Sequence, residues 1–412
     1  MPITYNLKYK KINYLGRPVL EKEGEIVIEQ NAFRLKGKGA NDQGELIQFT
    51  DVKEMFVKKD MVIFSTIAKE KYYLSHFKNL MNDFVNDFVE KRNKVLLDAL
   101  FLQKGELKKE YEAYFEYNSK FDRTICKGMG NIQLYDKSIV VIPEIREAFS
   151  IPFDFIANQD TDEINYEIIL SLDNGKKIAF SQLNTSYDDF LEKLDKLREE
   201  MYQNIVNGLR NHLPEFSAVT VLKLASLMKG GKATPISSIK KIDPELWDKF
   251  SEILFPTKET QESLAYFLEM VDEKNIYVGF HDRPNAGEGE KNYYAWLLAS
   301  IPEKNVIAVQ LMSHPQLNTH FFQIIMEQGI ASEKDKERIH EINQTMLRFN
   351  FDTQVFSRDR RDLRRTKYRL VLSKIPFIRS LRKSYLGRAY FKTKEDWLKY
   401  VELYLKKGSL VK

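Results

Sequence analysis

Apolar and polar positions alternate in short runs through the first 210 residues, then give way to longer helical patterns. Ile47–Phe49, Met61–Ser65 and Lys71–Ser75 are rich in β-branched and aromatic residues and predict strands. A helical pattern follows over about 79–101. The same succession then returns as Ile151–Phe153, Tyr166–Ser171 and Lys177–Ser181, with a second helix over about 187–207. Asp83–Phe84 and Asp189–Phe190 stand at matching places, 106 residues apart. Similarity at a fixed offset predicts a duplicated domain. Asp173–Asn174–Gly175 supplies the turn of a hairpin between residues 168–172 and 177–180. Phe190, Leu194, Leu197, Met201 and Ile205 form one apolar stripe at helical spacing, with Ser186 and Asp189 as its capping pair.

Each copy thus reads as several antiparallel strands closed by one amphipathic helix, in about 105 residues. This element order resembles the pleckstrin-homology-like (PH-like) barrel, and its duplication resembles proteins with tandem PH-like modules. The resemblance covers residues 1–210 or so and implies a binding or scaffolding module. Lipid-binding members carry a basic loop near their first strands. Arg34, Lys36 and Lys38 are the residues here that would take that part, and the second copy has no matching cluster.

Beyond Pro214 the pattern becomes helical. Val219–Met228 ends at Gly230–Gly231, and Asp243–Pro244 opens a helix with Leu246, Trp247, Phe250 and Leu254 on its apolar face. In the last third, residues 276–280, 293–301 and 306–312 read as strands. Helices are expected over 317–328 and 333–344, strands over 346–351, 368–373 and 385–391, and a closing helix over 394–407. That helix carries Trp397, Val401, Tyr404 and Leu405 inward, capped by Thr393 with Asp396. Tyr390–Phe391 before it echoes the end of both copies, which allows a third, divergent one. The expected fold class is α+β, in four parts. PH-like domains cover 1–110 and 111–212, a helical linker 213–260, and a larger basic α+β domain 261–412.

Composition narrows the function. The chain has 412 residues, 43% hydrophobic and 30% charged, which is ordinary globular material rather than disordered chain. Cys126 is the single cysteine, so an internal disulfide is excluded and a cysteine zinc site has no ligand set. Residues 1–16 lack an apolar signal region, and the longest uncharged run, Asn305–Met326, is too polar for lipid. A cytoplasmic protein is expected.

Motifs for chemistry come close and fail. His340–Glu341–Ile342–Asn343–Gln344 lacks the second histidine of a zinc-protease helix. Gly230–Gly231–Lys232–Ala233 lacks the earlier glycine and the hydroxyl of a phosphate loop, and Gly128–Met129–Gly130 lacks a third glycine. No motif for a cofactor or metal is found. Cys126 stands beside Lys127, which would favour a thiolate. His281–Asp282–Arg283 lies at a strand end before a loop to Asn292 that holds Glu288 and Glu290, a setting where acid–base groups occur. It motivates an enzymatic alternative. His314 and His320 are too far apart to form a helical pair.

Charge supplies the sharpest signal. Residues 358–394 hold 14 Lys+Arg against two acids, a surplus of 12. The remaining 50 basic and 57 acidic residues leave the rest of the chain at −7. Arg358, Arg360, Arg361, Arg364, Arg365, Lys367, Arg369, Arg379, Arg382, Lys383 and Arg388 form a candidate anion-binding segment, with Tyr368, Phe377 and Tyr385 interleaved. Arginine suits phosphate and carboxylate pairing. The expectation is a non-enzymatic binding or scaffold protein that engages a protein partner and an anionic ligand through this segment. Direct nucleic-acid binding by the same residues is the alternative, as is internal pairing with the acidic remainder.

Overall fold

The computed structural model describes residues 2–39, 42–100, 102–103, 105–144, 146–282, 293–312, 316–324, 331–348 and 369–409. They form mixed α+β structure in two compact units. One holds residues up to Arg198 together with 369–374, and the other holds the remainder.

The first unit contains two seven-stranded antiparallel sheets. Strands β1 (Ile3–Ile12), β2 (Pro18–Ile28), β3 (Ala32–Gly37), β4 (Glu45–Gln48), β5 (Val52–Lys58), β6 (Met61–Thr66) and β7 (Lys71–Ser75) run in the order β4-β3-β2-β1-β7-β6-β5, followed by helix α1 (Met81–Ala99). Strands β8 (Leu107–Asn118), β9 (Thr124–Tyr135), β10 (Ser138–Pro143), β11 (Phe149–Pro152), β12 (Ile156–Asp162), β13 (Glu167–Leu172) and β14 (Lys177–Ser181) follow as β11-β10-β9-β8-β14-β13-β12, ahead of α2 (Tyr187–His212). The two orders are the same.

Each sheet curls around its core. Phe33 on β3 and Phe64 on β6 lie four strands apart in the sheet order, about 19 Å if the sheet were flat. Their rings are 5.2 Å apart, and Phe88 of α1 fills the space between. The second helix buries Phe190, Leu194 and Leu197 of the expected stripe.

The copies agree at strained backbone positions too. Lys69 and Gly175, His76 and Gln182, and Lys78 and Asn184 all have positive φ. Those left-handed residues shape the hairpin turn and the approach to each helix. Tyr5 on β1 bonds Asp87 of α1, and Tyr111 on β8 donates to Asp189 of α2 at 2.7 Å. Asp189, expected as the capping partner of Ser186, thus anchors its helix to the first strand of its own sheet. Tyr111→Phe is expected to lower the urea midpoint with the denaturant slope unchanged; an unmoved midpoint would show that the bond adds nothing.

The second unit is built on one sheet of six sequentially adjacent antiparallel strands: β15 (Thr234–Pro235), β16 (Ile276–Asp282), β17 (Tyr293–Ile301), β18 (Val306–Leu311), β19 (Leu317–Gln323) and β20 (Tyr385–Phe391). One face packs on α3 (Ala218–Met228), α4 (Ile236–Lys240), α5 (Pro244–Leu254), α6 (Lys258–Met270) and the last helix, α10 (Lys394–Ser409). The other packs on α7 (Ala331–Arg348) and α9 (Pro376–Ser384). Helix α8 (Arg369–Lys374) lies in the first unit.

Several expectations change here. Residues 213–260 do not link domains: Thr234–Pro235 pairs with Tyr277–Val278, and the helices share the sheet's core. The sequential strand order differs from that of the duplicated sheets, so this sheet is no third copy. Residues 317–323 are strand rather than helix. Every residue of β19 is buried, so it shows no alternation to read. Met346 lies in α7 and residues 369–374 are helical, where strands were expected. The closing helix is as expected, with Trp397, Val401 and Leu405 buried and the Asp396 backbone N–H donating to Thr393.

A candidate anion site on strands β19 and β20

Arg358, Arg360, Arg361, Arg364, Arg365 and Lys367 lie outside the described residues, as does the side chain of Arg369. Four of the eleven candidate cations are placed. Helix α9 begins at Pro376, whose fixed φ suits a first helical position. It buries Ile378 and Leu381 and leaves Arg379 and Lys383 exposed one turn apart. Arg382 is half-buried. Cations at a helix C-terminus also answer its dipole.

The fourth, Arg388, stands on β20, and a bulge decides where it points. Phe321 pairs with Gly387 but Phe322 pairs with Tyr385, so Leu386 is an extra residue. Alternation would put Tyr385 and Arg388 on opposite faces. The bulge puts both on the face of α7 and α9, while Leu386 and Ala389 join the opposite core. Gly387 permits it. Its φ is +156, and a Cβ there would sit 2.1 Å from the Tyr404 ring.

On that face Arg388 Nε donates to Asn318 Oδ1 at 2.7 Å, and its guanidinium lies 4.2 Å from the Tyr390 ring centroid. Beside it, the Tyr385 hydroxyl is 3.2 Å from His320 Nδ1. Asn318 and His320 are fully buried. Burial pushes the Tyr385 hydroxyl pKa up, while Arg388 and Arg382 work against that, which places both cations in its field. On the other face Trp397 Nε1 donates to Thr319 at 2.9 Å and locks α10 to β19. Tyr385 was singled out from sequence and Tyr390 fell on an expected strand, but Asn318 was missed, because β19 did not read as a strand.

The remaining sequence candidates disperse. His281 and Asp282 are adjacent on β16 and therefore face opposite ways. Asp282 instead meets His212 of α2 at 3.2 Å, where Phe280 and Tyr293 pack edge-on against the imidazole. Glu288 and Glu290 lie outside the described residues, as does His314. His340 Nε2 is 2.9 Å from the Gln344 amide on its own helix. Gly231 brings the turn against β16, where a Cβ would meet the Phe280 carbonyl at 2.2 Å, so this turn packs on backbone rather than on phosphate. Burial pushes the Cys126 thiol up although Arg146 opposes it, and Lys127 pairs with Glu116 instead. Among the described residues no three His, Cys, Asp or Glu gather to hold a metal, and no helix is long and apolar enough to cross a membrane.

Arg34 and Lys36, expected in a basic loop, lie on β3 instead, and with Lys38 they face Glu29, Glu25 and Glu23 of the neighbouring segment at 3.7, 3.9 and 2.6 Å, so acids offset these cations. A groove of about 310 Å³ on the outer face is lined by Lys8, Lys10, Glu21, Tyr73, Ser75 and His76. Its cross-strand pair Lys10–Glu21 becomes Glu116–Lys127 at the same place in the second copy, each at 3.8 Å. The fold is retained while the surface charge reverses.

No family model matches the chain, and none of the curated proteins matches it. Among solved structures, a chain of the Spt16D Pob3N heterodimer is similar at 12% identity over 42% of this chain and 83% of that one, with a TM-score of 0.16.

Proposed function

We propose that the chain is a non-enzymatic binding or scaffold protein of the cytoplasm. Two tandem PH-like modules engage a protein partner, and the C-terminal basic face engages an anionic ligand. The modular half of the reading is supported by the shared strand order and closing helix of the two sheets. Edge strand β5 of the first offers a place for a partner, with Phe56 57% and Val57 41% exposed beside Lys58. An extended segment adding to such an edge would gain main-chain bonds and cover both side chains.

The anionic half rests on one observation. Arg379 and Lys383 are exposed one turn apart on α9, while Arg382 and Arg388 both act on Tyr385. The test is affinity of the full chain for mixed-sequence DNA, RNA and an acidic peptide at about 50 and 200 mM salt. Salt-sensitive binding to at least one is expected, weakened by Arg379→Glu with Lys383→Glu. A nucleic-acid ligand would lose orders of magnitude in affinity across that range, and each phosphate contact removed would flatten the log–log slope by about 0.7–0.9. No binding to any probe at the lower salt would overturn the anionic half.

A further inference from the structure

We infer that Arg388 is a preorganised clamp for a single terminal oxyanion, a carboxylate or a phosphate, taken by its two Nη groups. This deepens the reading of an anionic ligand and rests on it for the sign of the ligand's charge. It does not rest on the exposed cations of α9.

Three observations carry it. A free arginine loses much side-chain freedom on binding, but Arg388 has already lost it. Its Nε is spent on the buried Asn318 at 2.7 Å, and its plane rests on Tyr390 at 4.2 Å. Next, no described residue pairs with the Nη edge. Among the described residues Arg388 has no ion pair. That edge is the part of a guanidinium that matches the two oxygens of a carboxylate or phosphate. Finally, the amide that holds Nε keeps a second prong. Asn318 is fully buried, and its Nδ2 has no hydrogen-bond partner among the described residues. A buried donor left unmade is costly, and a ligand oxygen or a water on it would relieve that cost.

The bulge belongs to the same design. Without Leu386 as the extra residue, Tyr385 would leave the Arg388 face and the clamp would lose its neighbour. One fixed fork accepts one pair of oxygens, so a single small oxyanion is enough to fill such a site. A long polyanion would instead need the spaced charges of α9 and the preceding basic residues.

The experiment is a titration of the full-length protein followed through the arginine Nε–H signals by NMR. Inorganic phosphate and sodium acetate are added against sodium chloride at constant ionic strength. The Arg388 signal is expected to shift saturably with one or both oxyanions and not with chloride. The oxyanion that saturates at lower concentration identifies the ligand as phosphate or carboxylate. Arg388→Lys keeps the charge but loses the fork; followed through the Tyr390 ring signals instead, its apparent affinity should fall at least tenfold. Tyr390→Ala removes an exposed ring and should weaken binding several-fold without unfolding the chain, which thermal melting checks. A shift that follows ionic strength alone overturns the clamp, and so does unchanged affinity in both variants. Arg379→Glu with Lys383→Glu separates the two readings, because it should weaken polyanion binding and leave the Arg388 titration intact. Polyanion binding with no saturable Arg388 shift would sink the clamp alone.

Discussion

Replacing Glu147 by alanine is expected to cost the first unit about 2–4 kcal/mol and to release helix α8 from it. Glu147 Oε1 accepts from Arg92 Nη2 at 2.6 Å and from Lys374 Nζ at 2.5 Å. The Arg92 side chain is 3% exposed and that of Lys374 10%. Arg92 also donates to the Val52 carbonyl at 3.1 Å, and Lys374 to that of Lys53, so the cluster pins the start of edge strand β5. Removing the one anion leaves two buried cations facing each other. The cost falls below that of a fully buried pair because Glu147 keeps about a third of its side-chain surface, 34%, in water. Urea denaturation of wild type and variant measures it, and a midpoint within error of wild type would show that water screens the cluster.

The same cluster sets a pH dependence of definite sign. Burial pushes the Lys374 ammonium down to about 8, Arg92 adds to that, and Glu147 opposes both. Packed against the first unit, Lys374 therefore binds protons less tightly than at its ordinary value of 10.5. Packing of α8 is favoured as pH rises from about 8 towards 10.5, and that gain is lost as pH falls back through 8. Burial would raise the Glu147 carboxyl, yet Arg92 and Lys374 hold it below the ordinary range. Its contribution is present above that range and disappears in acid. Lys374→Met should flatten the alkaline rise in melting temperature while retaining the Arg92–Glu147 pair. A rise of equal size in that variant would assign the effect to other groups.

Gly387→Val is expected to destabilise the second unit by about 2–5 kcal/mol and to dismantle the anion site with it. Two costs add. The φ of +156 disfavours a branched side chain, and the new Cβ would lie 2.1 Å from the Tyr404 ring, which stacks on Phe321 at 5.1 Å. Relief requires either moving α10, whose Trp397 is locked to Thr319, or removing the bulge. Losing the bulge turns Tyr385 to the other face and breaks its contact with His320. Near-ultraviolet circular dichroism with thermal melting tests both parts. A stable variant with an unchanged aromatic signal would show that β20 holds its register without this glycine.

Much of the first unit was legible in sequence because its strands are half-buried. Met61–Thr66 and Glu167–Leu172 alternate between intermediate and buried at every residue, and the Asp173–Asn174–Gly175 turn fixes the second hairpin's register. The stripe through Phe190, Leu194 and Leu197 likewise shows on the surface of the pattern what it does in the core. Sheet strands covered on both faces carry no such signal. Leu317–Gln323 is buried throughout, and its Asn318, Thr319 and His320 look like the polar face of a helix until the layers on either side are known.

By itself, then, the sequence determined the repeat, its closing helices and the surplus of positive charge, because these depend on local periodicity and on counting. Tertiary structure alone decided that the charge is not uniform in role. It set Arg379 and Lys383 in solvent, tied Arg388 to Asn318 and Tyr390, and sent Lys374 to a half-buried carboxylate 227 residues away in the chain. Which carboxylate, amide or ring a cation meets depends on strand register, a one-residue bulge and long-range packing, and none of these leaves a local trace in composition or spacing.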